Sequence, residues 1–195
     1  MTKNSHYRPL KRALDITAVI VCLPIIVAFG AIVAALVRST SPGPALYWSE
    51  RIGAGGGIFL MPKFRTMRVG TPAVATHLLV DPASVLTPVG GFLRRTSLDE
   101  LPQLWSVLTG KMSLVGPRPA LFNQEDLIAL RAESGVLEIL PGITGWAQIN
   151  GRDDLAIPEK VRMEAEYRDR RSLAFDAKIL ACTLFRVARS QGVRH

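Results

Sequence analysis

The amino-acid sequence predicts an α+β fold, mostly helical, in two parts. An apolar N-terminal helix lies within residues 1–40, and a compact domain over 41–195 carries a small β-hairpin and interfacial helices. Three observations predict this. Ile16 to Val37 is an apolar run without a charged residue. Two strand-like segments flank the cluster Gly53-Ala54-Gly55-Gly56-Gly57. The C-terminal half repeats apolar residues at helical spacing. The 195 residues suffice for one domain with an appendage, and 48% of them are hydrophobic, with the excess gathered in the apolar run.

The apolar run would extend roughly 33 Å as a helix, enough to cross a hydrocarbon core of about 30 Å. It lacks the short core and small-residue cleavage site of a signal peptide. Pro24 disturbs a simple spanning reading, because proline removes a backbone donor and crowds the preceding turn. So do the flanks: Arg8, Lys11 and Arg12 precede the run, and Arg38 and Arg51 follow it. A spanning helix would export one basic flank, against the positive-inside tendency. A helix bent at Pro24 would keep both flanks on one face. Prolines are tolerated in spanning helices, so the residues alone leave both topologies open.

Beyond Ser41-Pro42-Gly43-Pro44, Ala45 to Ile52 and Ile58 to Thr66 read as a hairpin. Its glycines suit a plain turn better than a phosphate-cradling loop, since no GK[ST] follows. Gly70 to Pro88 is an irregular connector. Leu98 to Leu108 reads as a helix with Leu101, Leu104 and Leu108 on one face, and Glu125 to Leu140 reads as another. Pro141-Gly142-Ile143-Thr144-Gly145 reads as a turn. Pro158 to Arg171 is a charged surface helix opened by its proline. Asp176 to Arg189 mixes apolar and cationic residues, which suits a membrane interface or a core-facing surface helix.

A formal net charge of +8 favours anionic partners without choosing among them. Cys22 and Cys182 sit in apolar surroundings and read as buried reduced thiols. His6, His77 and His195 are too scattered to form a metal site.

The densest chemical signal is Arg94-Arg95-Thr96-Ser97-Leu98-Asp99-Glu100-Leu101-Pro102. Pro102 would place a helix start close upstream, with Asp99 and Glu100 in its first turn, where free N–H groups favour phosphate. The plainer reading is a capping box, Ser97-x-x-Glu100. Further basic motifs give context. Lys63-Phe64-Arg65 closes the second strand, and Arg118 stands between Pro117 and Pro119, which restricts its backbone and can aim its fork. Each alone reads as a solvated charge; together with the carboxylate pair they form a site for a diphosphate and its metal ion.

Six motifs occur in order: Ser41-Pro42-Gly43-Pro44, Arg51-Ile52-Gly53, Lys63-Phe64-Arg65-Thr66-Met67, Thr96 through Leu104, Met112 through Pro119, and Pro141 through Gly151-Arg152. Over nearly its whole length the chain resembles the bacterial sugar transferases, the monotopic phosphoglycosyl transferases, in their minimal form. The resemblance implies transfer of a phosphosugar from a nucleotide diphosphosugar, UDP-linked by expectation, to polyprenyl phosphate with release of UMP, as the first membrane step of bacterial glycan assembly. It implies Asp99 as nucleophile, an aspartyl-phosphosugar intermediate, Mg2+ positioned by Glu100, and Lys63, Arg94 and Arg118 holding phosphate charge. It also implies a re-entrant helix broken at Pro24 and a catalytic domain at the cytoplasmic face of the inner membrane. Nucleic acid has no place in this reading, and homo-oligomers are compatible with it.

The sequence departs from the family pattern in places. Leu23 replaces the serine common before the helix-breaking proline, and Pro62 precedes the Lys-Phe-Arg stretch, which suits an edge strand. Asp153 and Glu164 replace an asparagine and an aspartate, positions read as bearing on sugar choice. Two rivals stand beside the family reading. One is a non-catalytic membrane-anchored protein that binds anionic lipid or nucleic acid, for which the Asp99-Glu100 pair would be superfluous. The other is a multispanning transferase acting by direct displacement, which a single apolar segment disfavours.

Overall fold

A computed structural model describes residues 7–74, 80–151 and 155–188. His6, His77, Arg152, Asp153, Arg189 and His195 lie outside the described residues.

Helix α1 spans Tyr7–Thr40 with Pro24 inside it. The expected break is thus no interruption of the helix; helical structure continues on both sides of the proline. Only 11% of its most apolar stretch is buried within the protein. Ile20, Val21, Ile25, Val27, Phe29 and Ile32 face outward, and so does Cys22, which corrects its reading as a buried thiol. Cys182 is half-buried, and both thiols are free.

The hairpin forms around the glycine cluster as expected. Strands β1 (Leu46–Ile52) and β2 (Ile58–Phe64) pair antiparallel from Leu46↔Phe64 to Ile52↔Ile58. The glycines between them make a tight turn, with Gly55 and Gly56 at φ 73° and 81°, a region that favours glycine. Pro62 is fully buried opposite Trp48; in a two-stranded sheet it need not interrupt a further ladder.

Helix α2 (Gly90–Thr96) was not expected, and it changes the local reading: Arg94 and Arg95 end a helix rather than precede one. Their charges then lie where the backbone dipole favours cations. The segment expected as one helix over Leu98–Leu108 divides into a 3-10 turn, Leu98–Gln103, and helix α3, Leu104–Leu108. Pro102 explains the division, since it cannot supply an interior N–H. Its leucines serve two core clusters: Leu101 packs beside Leu93, while Leu104 and Leu108 pack beside Val107 and Met112.

Helix α4 covers Glu125–Glu133 and stops well short of Leu140, because Gly135 turns the chain at φ 68°. A 3-10 turn, Val136–Glu138, follows. The Pro141–Gly145 turn contains a strand: β3 (Ser113–Val115) and β4 (Gly142–Thr144) pair in parallel. Gly142 is required there, since a Cβ would fall 2.1 Å from the Gly116 backbone nitrogen. Helices α5 (Trp146–Asn150), α6 (Ile157–Arg170) and α7 (Leu173–Ala188) complete the described residues, with α7 starting earlier than expected. The core-facing reading of α7 holds. Phe175 and Ile179 enter the core, while Leu184 and Phe185 are exposed near its end.

Both ends of the apolar run dock on the rest of the protein. Val19 packs with Phe59, Met61, Val107 and Met112, and Val33 and Val37 pack with Phe64 and Leu93. Each such buried side chain is worth about 1.5–3 kcal/mol. Polar joints fix the foot of α1. Tyr7 Oη and Lys11 Nζ donate to Asp176 Oδ2 at 2.9 and 2.8 Å, and Arg12 donates to the carbonyls of Val107 and Leu108. Asp15 accepts from Ser113 Oγ at 2.7 Å.

Candidate active site

The Asp99-Glu100 pair sits in the 3-10 turn between α2 and α3, and the turn is anchored by its neighbours. Leu98 and Leu101 pack against the cluster of Val33, Val37, Phe64 and Leu93. The carboxylates therefore stand directly beside the second half of α1. Ser97, which joins α2 to the turn, adopts φ 57°, the one non-glycine residue with positive φ among those described. Such a conformation costs an ordinary residue on the order of 1 kcal/mol and is often found at functional sites. Ser97 makes no side-chain cap, and Glu100 is engaged elsewhere, so the capping box is not formed.

Three expected residues meet directly. Lys63 Nζ, from β2, lies 3.1 Å from Glu100 Oε1, and Arg118 Nη2 lies 2.7 Å from the same oxygen. Arg94 Nε donates to Thr66 Oγ1 at 3.0 Å, and its charge acts on Asp99. Pro24 is not part of this cluster; it lies in the exposed apolar length of α1.

The two carboxylates experience opposite fields. Burial pushes the Asp99 carboxyl up from its ordinary range, against the pull of Lys63, Arg118 and Arg94, and the adjacent Glu100 charge adds to the rise. Burial would also raise Glu100, but Arg118 and then Lys63 outweigh it and hold Glu100 well below the usual carboxylate range. Burial lowers Lys63 despite Glu100. Glu100 is thus a fixed anion, while Asp99 is a buried carboxyl that gains from any added positive charge.

Sequence reasoning left several roles unassigned. Arg51 donates to Ser49 Oγ and to the carbonyl of Pro119, and burial beside Arg118 lowers it to about 10. Arg65, read with Lys63 as a possible phosphate contact, turns inward instead. Its guanidinium holds the carbonyls of Ser41, Pro42 and Pro44, fixing the chain just after α1. Glu164, read as bearing on sugar choice, is buried against Arg131. Apart from the contact between Arg51 and Ser49, no local pattern announces these pairings, because their partners lie far away in sequence.

Among the described residues no group of three His, Cys, Asp or Glu side chains could hold a metal. The residues present still suit magnesium, a hard cation that takes one or two carboxylates and completes its shell from substrate phosphate and water. Glu100 and Asp99 would supply the carboxylate oxygens, and the raised Asp99 carboxyl is the group a cation would ionise.

The family model described as bacterial sugar transferase matches residues 6–190. A UDP-glucose:undecaprenyl-phosphate glucose-1-phosphate transferase of Escherichia coli (strain K12) is 42% identical over 188 residues, covering 92% of this chain and 40% of that protein. The sugar transferase EpsL of Bacillus subtilis (strain 168) is 40% identical, over 95% of this chain and 90% of its own. The exopolysaccharide production protein ExoY of Rhizobium meliloti (strain 1021) is 34% identical, over 93% of this chain and 87% of its own. The chain thus spans less than half of the Escherichia coli relative and most of the other two.

Proposed function

This chain belongs to the bacterial sugar transferase family, and we propose that it transfers a phosphosugar from a UDP-sugar to polyprenyl phosphate, releasing UMP. The observation that carries the reading is a carboxylate pair, Asp99-Glu100, caged by Lys63, Arg94 and Arg118 beside an apolar helix. The name of the Escherichia coli relative, a UDP-glucose:undecaprenyl-phosphate glucose-1-phosphate transferase, supports the same donor and acceptor classes.

In this mechanism Asp99 attacks the phosphorus nearest the sugar. The phosphoanhydride bond breaks, UMP leaves, and the phosphosugar stays on the Asp99 carboxylate. Polyprenyl phosphate then attacks the same phosphorus and frees Asp99. Splitting the transfer lets a soluble donor and a lipid acceptor use one site in turn. Arg118 and Arg94 neutralise phosphate charge, and Lys63 fixes Glu100. Glu100 and Asp99 would hold magnesium, which when bound supplies further charge neutralisation at the diphosphate. A lipid-only or nucleic-acid-binding role would not need a buried carboxylate pair inside a cationic cage.

The chain acts, in this reading, on the cytoplasmic face of the inner membrane, with α1 entering and leaving by that face and bending near Pro24. The docking of both Val19 and Val33/Val37 on one body supports this, since a spanning helix would carry one end away. Cysteine labelling at Ser5 and Ser41 in intact cells should protect both positions from an external reagent. External labelling of only one would establish a spanning helix instead. The activity itself is tested by UMP release from UDP-sugars with detergent, magnesium and polyprenyl phosphate. No release from any nucleotide sugar would return the chain to a binding role.

A further inference from the structure

Arg131 on α4 and Glu164 on α6 form an ion pair in which the residues are 3% and 2% exposed. The contact is bidentate: Nε to Oε2 at 2.8 Å and Nη2 to Oε1 at 2.5 Å. The same Nη2 donates to the carbonyl oxygen of Arg118 at 2.9 Å. A buried ion pair is a poor device for stability, because apolar side chains of similar volume often serve as well or better. Its worth here lies in that third contact.

Arg118 needs such help. Pro117 and Pro119 have no backbone N–H, so this segment has few donors of its own. It is held by its carbonyls instead. Pro117 O accepts from the Gly142 backbone at 2.8 Å, Pro119 O from Arg51 Nη1 at 3.1 Å, and Ala120 O from the Ile52 backbone at 3.0 Å. The remaining carbonyl of the run, that of Arg118, is the one Arg131 takes. The Arg118 side chain is 37% exposed, and its aim is set by its bond to Glu100 at one end and by where this backbone is fixed at the other.

We propose that the Arg131–Glu164 pair is a positioning device for Arg118, holding the backbone from which Arg118 grips the donor's phosphate. This rests on the assignment of Arg118 as a phosphate ligand. Glu164 then bears on catalysis through Arg131 and Arg118, not by touching the sugar.

The test compares two backgrounds, with labelled UDP-sugar so that residual turnover is measurable. Arg131→Met alone would strand a buried carboxylate and could unfold the chain. The double change Arg131→Met with Glu164→Leu removes both charges and should melt near the parent temperature. In the parent background it should lower kcat/KM for the donor about tenfold to a hundredfold, as misplacement by about 1 Å does elsewhere. In an Arg118→Ala background it should cause no further loss. Glu164→Gln, which keeps the shape of the pair, should show a smaller loss with the same dependence on Arg118, and Arg131→Lys should not rescue turnover because it lacks the fork. Equal fold-losses in both backgrounds, or a change in melting alone, would overturn the proposal while leaving the function intact. Full activity in Arg118→Ala itself would overturn the assignment of Arg118, and this inference with it.

Discussion

Two carboxylate clusters flank α1 and differ in how fully they are satisfied. At the foot of the helix, both Asp176 oxygens are taken: Oδ2 by Tyr7 and Lys11, Oδ1 by Tyr167 at 2.7 Å. Beside the second half of the helix, Asp99 and Glu100 face Lys63, Arg94 and Arg118, an excess of positive charge over negative. Burial pushes Asp99 toward the neutral form, and the cations oppose it. A saturated cluster has nothing left to offer a ligand and works as a joint. An oversupplied one has positive charge available for phosphate and, in the proposed reaction, a carboxylate available for phosphorus. The difference separates structure from chemistry within one chain.

The comparison breaks most visibly at the oversupplied cluster. Arg118→Lys keeps the charge and loses the planar fork, and turnover should fall about a hundredfold or more, nearly as far as in Arg118→Ala. Arg95, exposed at the end of α2, should be far milder than Arg94 when changed to alanine. Equal losses at Arg94 and Arg95, with full activity in Arg118→Lys, would mean that bulk charge rather than placement runs the site.

The saturated cluster should answer in stability instead. Lys11→Met leaves Asp176 with two hydroxyl donors and should cost about 1–3 kcal/mol. Turnover per folded molecule should hold. A large loss of turnover without loss of stability would make the foot of α1 part of the catalytic site.

A smaller effect separates the two carboxylates of the site in metal-free buffer. Glu100 is held below its unfolded range, so its pairing stabilises the fold above the unfolded pKa of about 4.3. That contribution is lost as pH falls toward the lower folded value. Glu100→Gln should therefore flatten the acid decline of the melting temperature. Asp99→Asn should not, because burial raises Asp99 and its ionisation works against the fold. An unchanged acid slope in Glu100→Gln would show that Lys63 and Arg118 do not hold this anion as described.

Much of this was legible in the sequence, and the limits have physical causes. The hairpin follows from two strand-like segments around five turn residues, and the apolar helix from a charge-free run. The cluster of Lys63, Asp99, Glu100 and Arg118 was reached through motifs, although its members come from separate elements. Helix α2 was missed because Gly90 and Gly91 argue against a helix start. Yet Gly90 is needed where a Cβ would lie 2.1 Å from the Thr66 carbonyl oxygen. The β3–β4 pair was missed because three-residue strands leave almost no periodicity. The inward turn of Arg65 and the Arg131–Glu164 pair are long-range decisions that no window of sequence contains.

In the proposed reaction the Asp99 carboxylate bonds to phosphorus. Protein incubated with its UDP-sugar and magnesium, without acceptor, should be trapped and digested, and the peptides weighed by mass spectrometry. A phosphosugar should appear on the peptide containing Asp99, and it should disappear on addition of polyprenyl phosphate. Asp99→Asn should keep the fold and abolish both adduct and turnover. An active Asp99→Asn variant, or an adduct that maps to Glu100, would contradict the account.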